Sequence, residues 1–182
     1  ALVLTGVVTA LAIEARIARK AAEQRQKQAE DLVAFMLTDL NDRLREVQRL
    51  DILEAVDNQA MAYFSSLPLH DVTDQTLALR SKALQKIGNV RQDEGQLAAA
   101  MESYLAASQL GAELLRRSPD DPEREAAYAE TLNHLGNAQY FQGDRDRALE
   151  SFTRAAALLT RATATHPQDD WLEVLSSART NA

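Results

Sequence analysis

The sequence predicts an all-α protein in which a long N-terminal helix is followed by a row of helical hairpins. Three observations lead there. Helix-favouring Ala, Leu, Gln, Glu and Arg dominate the 182 residues, which include only 6 Gly and 4 Pro. Apolar residues recur at three- and four-residue intervals over long stretches instead of alternating. A segment beginning at Ala83 returns with an offset of 48 residues, beginning at Thr131. The remaining composition excludes several function classes. Apolar residues at 46% exclude a disordered acidic tail, and the few Gly and Pro exclude a collagen-like chain or a turn-rich β-sandwich. Cysteine is absent, so there is no disulfide framework, thiolate zinc site or cysteine nucleophile. A net charge of −7 with 5% aromatics is a poor basis for binding nucleic acid.

Residues 1–28 form the first unit. Ala1 to Ile13 carry no charge and include the small residues Thr5, Gly6 and Thr9, which membrane helices tolerate. The run is shorter than the roughly 20 apolar residues a bilayer requires. It is therefore expected to be the C-terminal part of a transmembrane helix whose first half is missing. The following stretch holds Arg16, Arg19, Lys20, Arg25 and Lys27 against Glu14 and Glu23, a basic juxtamembrane stalk. The expected localisation is membrane-anchored and single-pass, through residues 1–13. The collar does not decide the side of the membrane, because the opposite flank is not there to compare.

Residues 29–72 read as adaptor helices. Ala29, Leu32, Val33, Met36, Leu37, Leu40, Leu44 and Val47 fall on one helical stripe, with no Pro before Pro68. A second helix is expected after the break at Arg49-Leu50, with Asp51 as its cap and Glu54 in its first turn. Its stripe is Leu53, Val56, Ala60, Tyr63, Phe64 and Leu67, and Pro68 ends it.

Residues 73–182 hold the repeat. Its matched pairs are Leu84/Leu132, Gly88/Gly136, Asn89/Asn137, Gly95/Gly143, Ala100/Ala148 and Glu102/Glu150, continuing with Ser103/Ser151, Ala107/Ala155, Leu110/Leu158 and Pro119/Pro167. Tyr104/Phe152 is a conservative aromatic pair. Gly inside a helix costs about 1 kcal/mol against Ala. Gly88 and Gly136 therefore mark a neighbouring helix that passes too close for a Cβ. Ala100 and Ala148 lie at that crossing, and Tyr104 and Phe152 fill the space beside it. Gly95 and Gly143 suit the position that closes a helix C-terminus. Asp121-Pro122 reads as an N-cap followed by Pro at the first helical position. Trp171 to Ala182 matches Glu123 to His134 and reads as the opening helix of a third unit, giving about two and a third repeats, cut in mid-unit.

This pattern resembles the tetratricopeptide repeat, a helix-turn-helix unit of about 34 residues. The residues that carry the resemblance are Leu84, Ile87-Gly88, Gly95, Ala100, Tyr104, Ala107 and Pro119, then Leu132, Leu135-Gly136, Gly143, Ala148, Phe152, Ala155 and Pro167. The 48-residue spacing departs from the family and implies helices about two turns longer than usual. The resemblance implies a solenoid whose first helices line a concave, peptide-binding face. Carried over, that face holds Lys82, Gln85, Lys86, Asn89 and Gln92, with Glu130, Asn133, His134, Asn137 and Tyr140 from the second unit. Asn89 and Asn137 take the position where family members grip a peptide backbone or terminal carboxylate. The plainer alternative is a solvated face in which the Asn residues serve packing. A weaker resemblance links AEDLVAFMLTDLNDRL and RLDILEAVDNQAMAYFSSLP to the membrane-proximal block of bacterial multidomain proteins, where an effector domain precedes a repeat array.

No constellation in the sequence carries chemistry. His70, His134 and His166 form no i, i+4 pair, and no metal site, cofactor or catalytic residue is expected. There is no glycine-rich phosphate loop, nucleophile elbow or HExxH. Asp120/Asp121 and Asp169/Asp170 sit at helix starts, where they complement the helix dipole. The expected function is a non-catalytic protein–protein interaction module of a membrane-anchored bacterial signalling or effector protein. Two alternatives are a structural element that oligomerises through the N-terminal helix, and a regulatory part of an enzyme whose catalytic domain lies elsewhere. The expected partner is a protein or peptide, or a second copy of the chain.

Overall fold

A computed structural model describes residues 2–36 and 73–182, together with residues 40, 43, 52, 55, 56, 59, 62 and 63. The expected cap at Asp51, the stop at Pro68, His70 and most of the second adaptor stripe lie outside the described residues. The fold is all-α. Its helices are α1 (Leu2–Phe35), α2 (Asp74–Asp93), α3 (Leu97–Arg117), α4 (Pro122–Phe141), α5 (Arg145–Thr165) and α6 (Asp169–Asn181). From α2 onward each helix packs on the next, and α4 also touches α2 and α6. The two hairpins, α2–α3 and α4–α5, begin and end at positions 48 residues apart.

The membrane anchor expected at residues 1–13 is corrected by α1. The helix is 34 residues long, but its apolar run gives way after Ile13 to Glu14, Arg16, Arg19 and Lys20. No helix among the described residues is long and apolar enough to cross a membrane. Residues 12–20 of α1 are exposed. Towards its other end Val33 is buried with Ala83 of α2, beside Tyr63 and Leu79. The Tyr63 hydroxyl donates to the Gln26 carbonyl at 3.5 Å.

Local chemistry sets the helix ends. Thr73 Oγ1 accepts from the Thr76 N–H at 3.1 Å and caps α2. Asp121 Oδ1 accepts from the N–H groups of Glu123 and Arg124, with Pro122 at the first helical position of α4. Asp144 caps α5 through the Arg147 N–H. Gly95 and Gly143 have φ of 77° and 88°, the left-handed conformation that closes α2 and α4. Asp169 and Asp170 lie in the first turn of α6, where Gln168 is the cap residue.

The core follows from the crossings within each hairpin. Ala100, Tyr104, Ala107, Ala148, Phe152 and Ala155 are all buried, and Tyr104 is 0% exposed. A Cβ added to Gly88 would lie 2.5 Å from the Tyr104 ring, and one added to Gly136 would lie 2.7 Å from the Phe152 ring. The absent side chains are thus what lets each ring sit flat against the facing helix. Ser103 and Ser151 tie the same crossing with polar bonds. Ser103 Oγ accepts from Arg91 Nη1 at 2.8 Å, and Ser151 Oγ donates to Gln139 Oε1 at 2.8 Å.

Different contacts join one hairpin to the next. Gly111 of α3 faces Tyr128 of α4, where an added Cβ would lie 2.8 Å from the ring. Asp74, at the start of α2, pairs with Arg117 at 2.8 Å and Arg124 at 2.9 Å. Arg124 Nη1 also donates to the Leu114 carbonyl. One carboxylate therefore fastens the start of α2 to the end of α3 and the start of α4. Hydrogen bonds from Arg117 and then Arg124 hold the Asp74 carboxyl below its usual range. Arg116 and Arg117 hold that of Glu113 down to about 2.

Two outcomes are expected. Gly136→Ala gains helix propensity of about 1 kcal/mol but overpacks a ring that has no room to retreat, typically about 1–3 kcal/mol. Urea unfolding is expected to show no net gain and a loss of up to about 2 kcal/mol. The second concerns acid. Asp74 and Glu113 titrate lower when folded than when unfolded, so their contribution is complete above the ordinary carboxylate range. It is lost as pH falls from there towards about 2. The melting temperature is expected to fall over that window, and to fall less in Asp74→Asn, which starts lower.

Candidate functional site

The face expected to bind is built by α2 and α4. Between them lies a cleft of about 480 Å³. Lys82, Gln85 and Lys86 of α2 line one wall, and Arg124, Glu130 and Thr131 of α4 line the other. Gly111, Leu114 and Tyr128 also contribute. Lys82 and Glu130 are exposed, and Gln85 and Lys86 are half-buried. Thr131 Oγ1 donates to Gln85 Oε1 at 3.5 Å, bridging the two helices. Glu130 stands 3.9 Å from His134 Nε2. His134 does most to hold the Glu130 carboxyl below its usual range, with help from Gln85 and Lys82. The cleft wall is thus a mixture of donors and acceptors of both charges.

The other sequence-predicted residues lie outside this cleft. Asn89 and Gln92 of α2 are engaged by the core: the Tyr104 hydroxyl donates to Asn89 Oδ1 at 2.8 Å and lies 3.3 Å from Gln92 Oε1. At Asn89 the packing reading of the sequence therefore describes the contact. Asn137, its counterpart on α4, faces a different situation, because Phe152 has no hydroxyl to offer it. His134 stacks on Tyr104 with ring centroids 5.5 Å apart and planes at 12°. Tyr104 thereby reaches from its own hairpin to the next. Asn133 is half-buried, and its Oδ1 is buried with no hydrogen-bond partner. Tyr140 is 55% exposed and meets the Phe141 ring edge-on at 6.1 Å.

Sequence reasoning missed Arg124, Thr131, Gly111 and Tyr128. None has a counterpart 48 residues away, where Leu172, Arg179, Leu159 and Ser176 stand. The repeat could therefore not point to them.

Two further depressions flank the cleft. One, of about 410 Å³, lies between α4 and α6, with Leu159 at its base and Trp171 and Val174 beside Glu123, Glu130 and Asp170. The other, of about 590 Å³, lies between α3 and α5. There Arg154 sits 5.1 Å over the Tyr128 ring, and Arg161 pairs with the buried Glu125 at 2.6 Å. Burial pushes the Tyr128 hydroxyl above its usual pKa. His166 is exposed at the end of α5. Among the described residues no group of three or more His, Asp or Glu is placed to hold a metal ion. No protein-family model matches the chain, and no curated protein matches it either.

The unequal pairs Tyr104–Asn89 and Phe152–Asn137 make a test. Tyr104→Phe removes a buried hydroxyl bond and leaves Asn89 without its donor, a loss of about 1 kcal/mol in urea unfolding. Phe152→Tyr supplies the same donor to Asn137 and is expected to be neutral or stabilising.

Proposed function

We propose that the chain is a non-catalytic interaction module with tetratricopeptide-like organisation, whose α2–α4 cleft receives an extended peptide segment of a partner protein. The observation that carries this reading is the convergence of Lys82, Gln85 and Lys86 with Glu130 and Thr131 on one cleft. An extended peptide presents N–H and C=O groups in alternation, and such a mixed wall can serve both. Asn133 and Asn137 extend the row of amides along α4.

The tetratricopeptide comparison is supported by the period and by what recurs at it. Each hairpin sets Gly in one helix against an aromatic ring in the other, and ends its first helix in a left-handed Gly. The mechanism is rigid display. The helices are formed before the ligand arrives, so little ordering cost falls on the protein and the peptide bears most of it.

The probe is a displayed library of random linear peptides selected on the full chain, followed by calorimetry of the enriched sequences. Binding is expected to weaken tenfold or more in Lys82→Ala/Lys86→Ala and in Glu130→Gln, with melting temperatures unchanged. Selection that enriches nothing, or peptides that bind the variants as well as the parent, contradicts the reading.

A further inference from the structure

The cleft between α4 and α6 has the reverse character of α1. Its apolar centre is Leu159, Trp171 and Val174, and Glu123, Glu130 and Asp170 surround that centre. Glu123 and Asp170 are exposed. On α1, Ile13 and Ile17 are 53% and 62% exposed, one turn apart. Arg16 and Lys20, also exposed, flank them at the spacing that shares one helix face. One surface is thus an apolar ridge edged with cations. The other is an apolar trough edged with carboxylates.

The two do not meet within one chain: α1 packs on α2, and Ile13 and Ile17 stay exposed. Val33 seats α1 on α2, and Ile13 lies about 30 Å up the helix from that contact. The helix has no Pro, and its only Gly, Gly6, precedes Ile13, so nothing between them can fold it back. The trough belongs to the far hairpin.

We infer that α1 of one molecule docks through Ile13, Arg16, Ile17 and Lys20 into the α4–α6 cleft of a second copy of this chain. Burying the ridge against Trp171 removes apolar surface from water on both sides. The charge fringes fix which helix fits and make the association salt-dependent. The two clefts share Glu123 and Glu130, so the Arg16→Glu/Lys20→Glu variant, which alters neither cleft, is the one that separates self-association from peptide capture.

The test is sedimentation of the full chain with two charge reversals, Arg16→Glu/Lys20→Glu and Glu123→Lys/Asp170→Lys. All four side chains are exposed, and circular dichroism checks that the helices remain. The parent chain is expected to associate at about 0.05 M NaCl and to weaken at least tenfold at about 0.5 M. Each reversed variant alone is expected to be monomeric, because its ridge and its trough then carry the same sign. Mixed together, the two variants are expected to associate again, since each then offers what the other needs. A monomeric parent at low salt overturns the inference. So does association that survives either reversal, which would place it elsewhere, or a mixture that stays monomeric.

Discussion

The repeat body depends on one contact made twice: a helix without a side chain lying against the face of an aromatic ring. At Gly88 and Gly136 a single added carbon would stand inside the van der Waals shell of Tyr104 and Phe152. Each ring is essentially buried, at 0% and 2% exposure. Small residues around it, Ala100 and Ala107 or Ala148 and Ala155, let the helices approach closely enough to seal it. The glycines cost helix propensity, and the close approach they permit returns dispersion contacts over the whole ring face. With the crossing fixed in each hairpin, the 48-residue period sets the bounds of α4 and α5 from those of α2 and α3.

The junctions between hairpins follow no such rule. The first is held by the Asp74 carboxylate between Arg117 and Arg124, by Gly111 under Tyr128, and by the Tyr104–His134 stack. The second is held by buried Leu158, Leu159, Ala162, Leu175 and Ala178, with Arg179 donating to Thr160 at 3.1 Å. A nearly identical hairpin is thus joined by ions and rings on one side and by aliphatic packing on the other. The clefts on either side of α4 differ accordingly: one is mixed in charge, the other acidic with an apolar base.

What was legible in the sequence divides along the same line. The hairpins, their caps and their glycine crossings could be read because residue spacing and repetition express them directly. Asp121-Pro122, Gly95 and Gly143 each have a backbone requirement that few other residues meet. Contacts between hairpins could not be read, because Arg124 or Gly111 signals nothing until the partner helix is in place. At the site, the cleft-lining Lys82, Gln85 and Lys86 were reached by carrying the tetratricopeptide positions over to this chain. Asn89 could be read either as a ligand residue or as a packing residue, because the sequence alone does not show that Tyr104 donates its hydroxyl there. The apolar run at residues 1–13 suggested the end of a membrane span followed by a charged stalk, and that reading is corrected because no helix among the described residues is long and apolar enough to cross a membrane.

That each ring and its missing Cβ act as one unit is tested most directly by a double-mutant cycle in urea: Gly136→Ala, Phe152→Leu and the pair together. Leucine at 152 removes the ring face that the new methyl would strike. The contact then predicts that the double variant is more stable than the sum of the two losses allows, with a coupling of about 1 kcal/mol or more. Losses that add to within about 0.5 kcal/mol would mean that the ring and the glycine are independent, and would contradict the crossing as the basis of the repeat.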